Sequence, residues 1–214
     1  FIDKSYIPDD LTGWEKGSAT TSTITGNPIE GWDLALSAGT ITDGTKNIYY
    51  TADISVSNLK VVMDLSEVAE DQTFYIGFAN GNYGLSGWAG DRVYFKFKKA
   101  GNNLNFRGHY YHGEVGVKDV AIDYSQPVEF EFLQDDNGKW QPAINGTICP
   151  MGTATNQSTD VFVTQMETVI KATQTKVMFG REYNPACTLK DVKFFNKSAT
   201  ADDLTGWTKG SATT

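Results

Sequence analysis

Short runs in which apolar residues alternate with polar or small ones recur along most of the chain. Trp32-Asp33-Leu34-Ala35-Leu36-Ser37 and the ranges 48–54, 59–65 and 73–79 read with a period of two, which predicts strands buried on one face. The pattern is clearest over 92–98 and 104–111, which flank Ala100-Gly101-Asn102-Asn103 and predict a hairpin. Val128-Glu129-Phe130-Glu131-Phe132 alternates and turns at Asp135-Asp136-Asn137-Gly138 into a partner over 140–146. Ranges 161–166, 175–181 and 189–195 predict the last strands. Near the start, 18–25 predicts a strand that Gly26-Asn27-Pro28 breaks, and the acidic stretch 66–72 predicts one helical turn. About a dozen strands with no long amphipathic helix predict an all-β chain of two packed antiparallel sheets, with a closed barrel as the alternative.

The same period sorts the 92–111 hairpin into two faces. Val93, Phe95, Phe97, Leu104, Phe106 and Tyr110 fall on one, a core face. Tyr94, Lys96, Lys98, Asn105, Arg107, His109 and Tyr111 fall on the other, and the glycine-rich loop before the hairpin adds Tyr83 and Trp88. Aromatic rings stack on the apolar faces of sugar rings, while Arg, Asn and His bond their hydroxyls. Tyr83, Trp88, Tyr94, Arg107, His109 and Tyr111 are therefore the candidate ligand-binding residues. Against this stands a plain packing role, with Trp88 plugging the end of the sandwich and Tyr94 and Tyr111 as cross-strand pairs.

One segment occurs twice. Residues 9–21 reappear 193 positions later as 202–214, with twelve of thirteen identical and only Glu15 replaced, by Thr208. Phe1, Lys4 and Ser5 match Phe194, Lys197 and Ser198 at the same offset. Similarity at a fixed, domain-sized period is the mark of a repeat array. It predicts the end of a preceding copy at 1–8, one domain over 9–201 and the start of the next copy at 202–214. Trp14 and Trp207 then belong at the junction between successive domains.

Composition narrows the function. The formal net charge is −8 and the pI about 4.7, so there is no basic footprint for nucleic acid or anionic lipid. No apolar run is long enough to span a membrane as a helix. Cys149 and Cys187 are either one disulfide closing a 39-residue span or two buried thiols.

The final third resembles a known superfamily. The turn-linked pair ending in Ile144-Asn145-Gly146, the strand Val177-Met178-Phe179-Gly180-Arg181 and the closing Leu189-Lys190-Asp191-Val192-Lys193-Phe194-Phe195-Asn196 are similar to the C-terminal pattern of concanavalin A-like lectin and laminin-G-like domains. The resemblance covers about 128–196 and implies a jelly-roll β-sandwich with carbohydrate binding. The lectin-type metal site of closely spaced Asp and Asn cannot be placed in this sequence, so no cofactor is expected and calcium is left open.

Catalytic chemistries are less well supplied. Some enzymes on this fold carry three carboxylates on alternate residues of one strand; here Glu129 and Glu131 are followed by Leu133, and both read as solvated carboxylates. Gly84-Leu85-Ser86-Gly87-Trp88 lacks the last glycine of a nucleophile elbow. His109 and His112 stand without a Cys or acid at metal-ligand spacing. The expectation is a non-catalytic glycan-binding or adhesion module of an extracellular or cell-surface protein, with neutral glycans and neighbouring copies as partners. The alternative is a structural stalk or filament repeat with no glycan ligand.

Overall fold

The computed structural model describes residues 10–37, 46–52, 55–80, 92–110, 113–152, 164, 167–168, 170–171, 175–181 and 187–198. Segments 1–8 and 202–214, and Trp207 with them, lie outside the described residues. Among those described, fourteen strands form. They are β1 (Trp14–Lys16), β2 (Thr23–Asn27), β3 (Gly31–Leu36), β4 (Ile48–Ala52), β5 (Leu59–Asp64), β6 (Thr73–Asn80) and β7 (Arg92–Ala100). The second half adds β8 (Asn103–Tyr110), β9 (Gly113–Ala121), β10 (Val128–Gln134), β11 (Trp140–Ile144), β12 (Thr147–Ile148), β13 (Thr175–Gly180) and β14 (Cys187–Asn196).

They make two seven-stranded sheets, ordered β1-β4-β13-β6-β7-β8-β9 and β12-β11-β10-β5-β14-β3-β2. Every pairing is antiparallel. The fold is thus the two-sheet antiparallel sandwich expected, and not a closed barrel. Apolar residues at alternate positions meet between the sheets: Phe74, Ile76 and Phe78 of β6 and Val93, Phe95 and Phe97 of β7 face Phe130 and Phe132 of β10. Leu104 and Phe106 complete the expected core face of the hairpin, while the Tyr110 side chain lies outside the described residues.

Several local expectations are corrected. The first strand is not 18–25, because 17–22 turns and β2 runs on through Gly26 and Asn27. The chain reverses just after, where Asn27 Oδ1 accepts from the Ile29 and Glu30 amides at 2.9 and 3.0 Å, an Asx turn. Turns replace the helical turn expected over 66–72. Of the expected strand 161–166 only Thr164 is described, and it is helical, as are Glu167, Thr168, Ile170 and Lys171; the rest of that range lies outside the described residues. The reason is visible in their spacing, since Thr164, Thr168 and Lys171 are exposed while Ile170 enters the core.

Trp14 packs on this domain's own core edge, with ring centroids 5.7 Å from Trp32, 5.1 Å from Tyr50, 5.9 Å from Phe179 and 6.0 Å from Phe194. Of the two readings of the cysteines, buried free thiols are what the structure shows.

Candidate functional site

In β6 the apolar Phe74, Ile76 and Phe78 face the core, so Tyr75 and Gly77 face outward from the first sheet. Strand register carries that outer face across all seven strands. Glu15, Tyr49, Met178, Gly77, Tyr94, His109 and Glu114 are successive partners from β1 to β9. Two residues along, Gly180, Tyr75, Lys96, Arg107 and Gly116 form a second row. Beyond it, Thr73, Lys98, Asn105 and Asp119 form a third.

The centre of this face is closed. Tyr75 and Met178 are buried, forming a second apolar cluster against which Tyr49 and Tyr94 pack. Two glycines permit it: a Cβ on Gly77 would stand 2.6 Å from Met178 Cε, and one on Gly180 would stand 2.3 Å from the Tyr75 hydroxyl. The Tyr75 hydroxyl donates to the buried Asn47 Oδ1 at 2.7 Å.

Toward β8 burial is partial, and the His109 Nε2 atom is itself buried. The Tyr94 and His109 rings lie parallel, 4.6 Å between centroids and 6° between planes. Both are half-buried, and Arg107, one row away on the same face of β8, is exposed. Lys96 lies directly opposite Arg107. At the margins the charges are mutually engaged. Lys98 pairs with Asp71 at 2.6 Å, Lys176 pairs with Glu15 at 2.6 Å, and the Asn105 amide donates to Asp119. The arrangement offers an upright stacked pair in which Tyr94 and His109 each cover one ring face of the other, with a guanidinium one row away.

Of the sequence-predicted residues, the structure thus gathers Tyr94, Arg107 and His109. Tyr83, Trp88 and Tyr111 lie outside the described residues, as does His112. Sequence reasoning missed Tyr49, Tyr75 and Met178, because only the pairing of β4, β13 and β6 brings them beside the hairpin. Each does occupy an alternate, outward position of its strand, which is the signal that was available.

The two carboxylates weighed for catalysis lie on the second sheet, on β10. They are not two solvated groups. Glu129 pairs with Lys60 at 2.8 Å, while Glu131 is only 6% exposed and pairs with Lys197 at 3.1 Å. Register explains the difference: Glu131 lies opposite Lys60 and Ala143 inside the sheet, where neighbours on both sides shield it. Among the described residues no cluster of three His, Cys, Asp or Glu side chains is placed to hold a metal ion.

A separate cleft of about 600 Å³ is lined by Lys99, Asn102, Asp123 and Tyr124. Its polar groups are committed locally. Lys99 Nζ sits 4.2 Å over the Tyr124 ring and donates to the Val68 carbonyl, and the Tyr124 hydroxyl donates to the Asn103 carbonyl. Burial, aided by the Glu70 charge, pushes that phenol up to about 12.

No family model and no curated protein matches the chain. Among solved structures it is similar to a Bacillus licheniformis β-glucanase, at 13% identity and a TM-score of 0.46 over 87% of this chain and 93% of that one. It is also similar to a Bacillus subtilis protein of unknown function with a galectin-like fold, at 12% identity and a TM-score of 0.44 over 87% and 90% of the two chains. Both overlaps are too loose to assign a family or an activity, and the sandwich rests on the strand pairing described above.

Proposed function

We propose that the chain is a non-catalytic carbohydrate-binding or adhesion module, one copy in a tandem array of an extracellular or cell-surface protein. The observation that carries this reading is the stacked Tyr94–His109 pair with the exposed Arg107 one row away on the same sheet face. A sugar ring packs against the outer side of this pair while Arg107 bonds its hydroxyls. The ligand is a neutral glycan: the chain is acidic overall, and Lys98 and Lys176 on this face already pair with Asp71 and Glu15. Affinity per site is modest, and successive copies raise it by making the second contact intramolecular.

The experiment is a glycan array and an insoluble-polysaccharide pull-down with the whole chain, with and without a chelator. Retention on neutral glycans, undiminished by the chelator, is the expected result. Retention only on acidic glycans would remove the neutral ligand from the reading, and dependence on calcium would require a metal that it does not include. A folded chain retained on nothing would abandon the reading for a structural repeat.

A further inference from the structure

The place occupied by β1 is shaped by the rest of the domain, and the chain carries a second segment with the sequence that fills it. Around β1, the Asp10 amide donates to the Gly26 carbonyl at 3.0 Å and the Gly17 amide to the Asn47 carbonyl at 2.9 Å. The Asp10 carbonyl accepts from Trp32 Nε1 at 2.9 Å, and the Gly13 carbonyl from the Thr51 amide at 3.0 Å. Gly13 has φ of +89°, and a Cβ there would stand 3.2 Å from the Tyr50 ring, so glycine is required. Trp14 then enters the aromatic cluster of Trp32, Tyr50, Phe179 and Phe194.

Every residue these contacts need recurs in the second segment, as Asp203, Gly206, Trp207 and Gly210. The one replaced position is Glu15, where the second segment has Thr208. Glu15 is also the residue whose carboxylate pairs with Lys176 across the sheet at 2.6 Å. The two segments therefore match at every residue these contacts use and differ at the one that makes the ion pair.

We propose that residues 202–214 are a second β1 that exchanges with residues 9–21 for the same slot within one chain, and that the Glu15–Lys176 pair decides which of them holds it. Three features make the exchange feasible. β1 is a three-residue strand at the edge of its sheet, so releasing it breaks only one strand pairing. Phe194 of β14 is in ring contact with Trp14, and β14 ends two residues later at Asn196, so the chain before the second segment passes beside the slot. The eleven residues from Asn196 to Trp207 span up to about 36 Å when extended, ample for a return to it. The ion pair joins a mostly buried lysine to a half-exposed carboxylate, so its preference for the resident segment is about twofold to fivefold. Where copies are joined in tandem, that small bias lets each domain exchange its first strand with the one belonging to the next. This inference is independent of any ligand.

Two measurements on the whole chain test it. In a thermal-melt cycle, Trp207→Ala alone leaves the melting temperature within about 1 °C of wild type. On a Trp14→Ala background it lowers it by about 4 °C or more, because Trp207 has taken the vacated place. Strict additivity, with no effect of Trp207→Ala on either background, overturns the proposal. If the Trp14→Ala chain fails to fold, the swap of Glu15→Thr with Thr208→Glu still decides, since it keeps both tryptophans and moves the ion pair to the second segment. In fluorotryptophan-labelled chain the Trp207 resonance then takes the chemical shift that Trp14 has in wild type. A Trp207 resonance unchanged by the swap overturns the proposal.

Discussion

At the scale of single residues, what decides energetics is whether a buried polar group has a partner. Lys197 approaches Glu131 at 3.1 Å and also donates to the Phe132 carbonyl at 2.7 Å, while Glu131 is buried. Lys197→Met strands that carboxylate, with an expected loss of about 3 kcal/mol in urea unfolding. Lys60→Met at the outwardly similar but only half-buried Glu129 pair is expected to stay within about 1 kcal/mol of wild type. Equal effects at the two lysines would refute the distinction. Tyr75→Phe removes the donor to buried Asn47 Oδ1 and is expected to destabilise by about 1–3 kcal/mol in the same assay.

Cys187 makes a pH prediction at this scale. Burial pushes its thiol from an ordinary 9.0 up to about 11, with Arg181 acting weakly in the opposite direction. Between those values the unfolded chain has lost the proton that the folded chain keeps. The stabilisation is therefore complete below pH 9 and lost as pH rises through 11. Unfolding free energy measured across that window is expected to fall less steeply in Cys187→Ala, by up to about 3 kcal/mol in total. Identical slopes would show that Cys187 does not titrate as described.

At the scale of elements, the long alternating strands were legible because one face of each is apolar. β3, β5, β7, β8 and β10 fall close to where period two puts them. β9 was not legible, because Gly113, Gly116 and the Lys118-Asp119 pair interrupt its alternation, and its register against β8 shifts between Asn105 and Arg107. β1 was illegible for a different reason: three residues are too few to show a period, and it is held by Trp14 rather than by a pattern. The outer row of the hairpin, Tyr94, Arg107 and His109, was legible from alternation alone. Tyr49, Tyr75 and Met178 were not, because strand order is set by packing between distant segments, which no local window contains.

At the scale of the whole molecule, the two β10 carboxylates and Trp14 change meaning once the sheets are assembled. The β10 carboxylates turn into ion pairs on the second sheet, away from the Tyr94–His109 patch. Trp14 packs into the aromatic cluster of its own sandwich, at the edge where β1 pairs with β4. The proposed ligand belongs beside the Tyr94–His109 pair, where Arg107 is exposed on the first sheet. The most direct measurement is the affinity of Arg107→Ala beside wild type for whichever neutral glycan the array identifies, with melting temperatures recorded for both. Because Arg107 is exposed, the account predicts an unchanged melting temperature and a loss of about tenfold in affinity, corresponding to about 1.4 kcal/mol. Undiminished binding by the folded variant would contradict it and place the glycan elsewhere on the molecule.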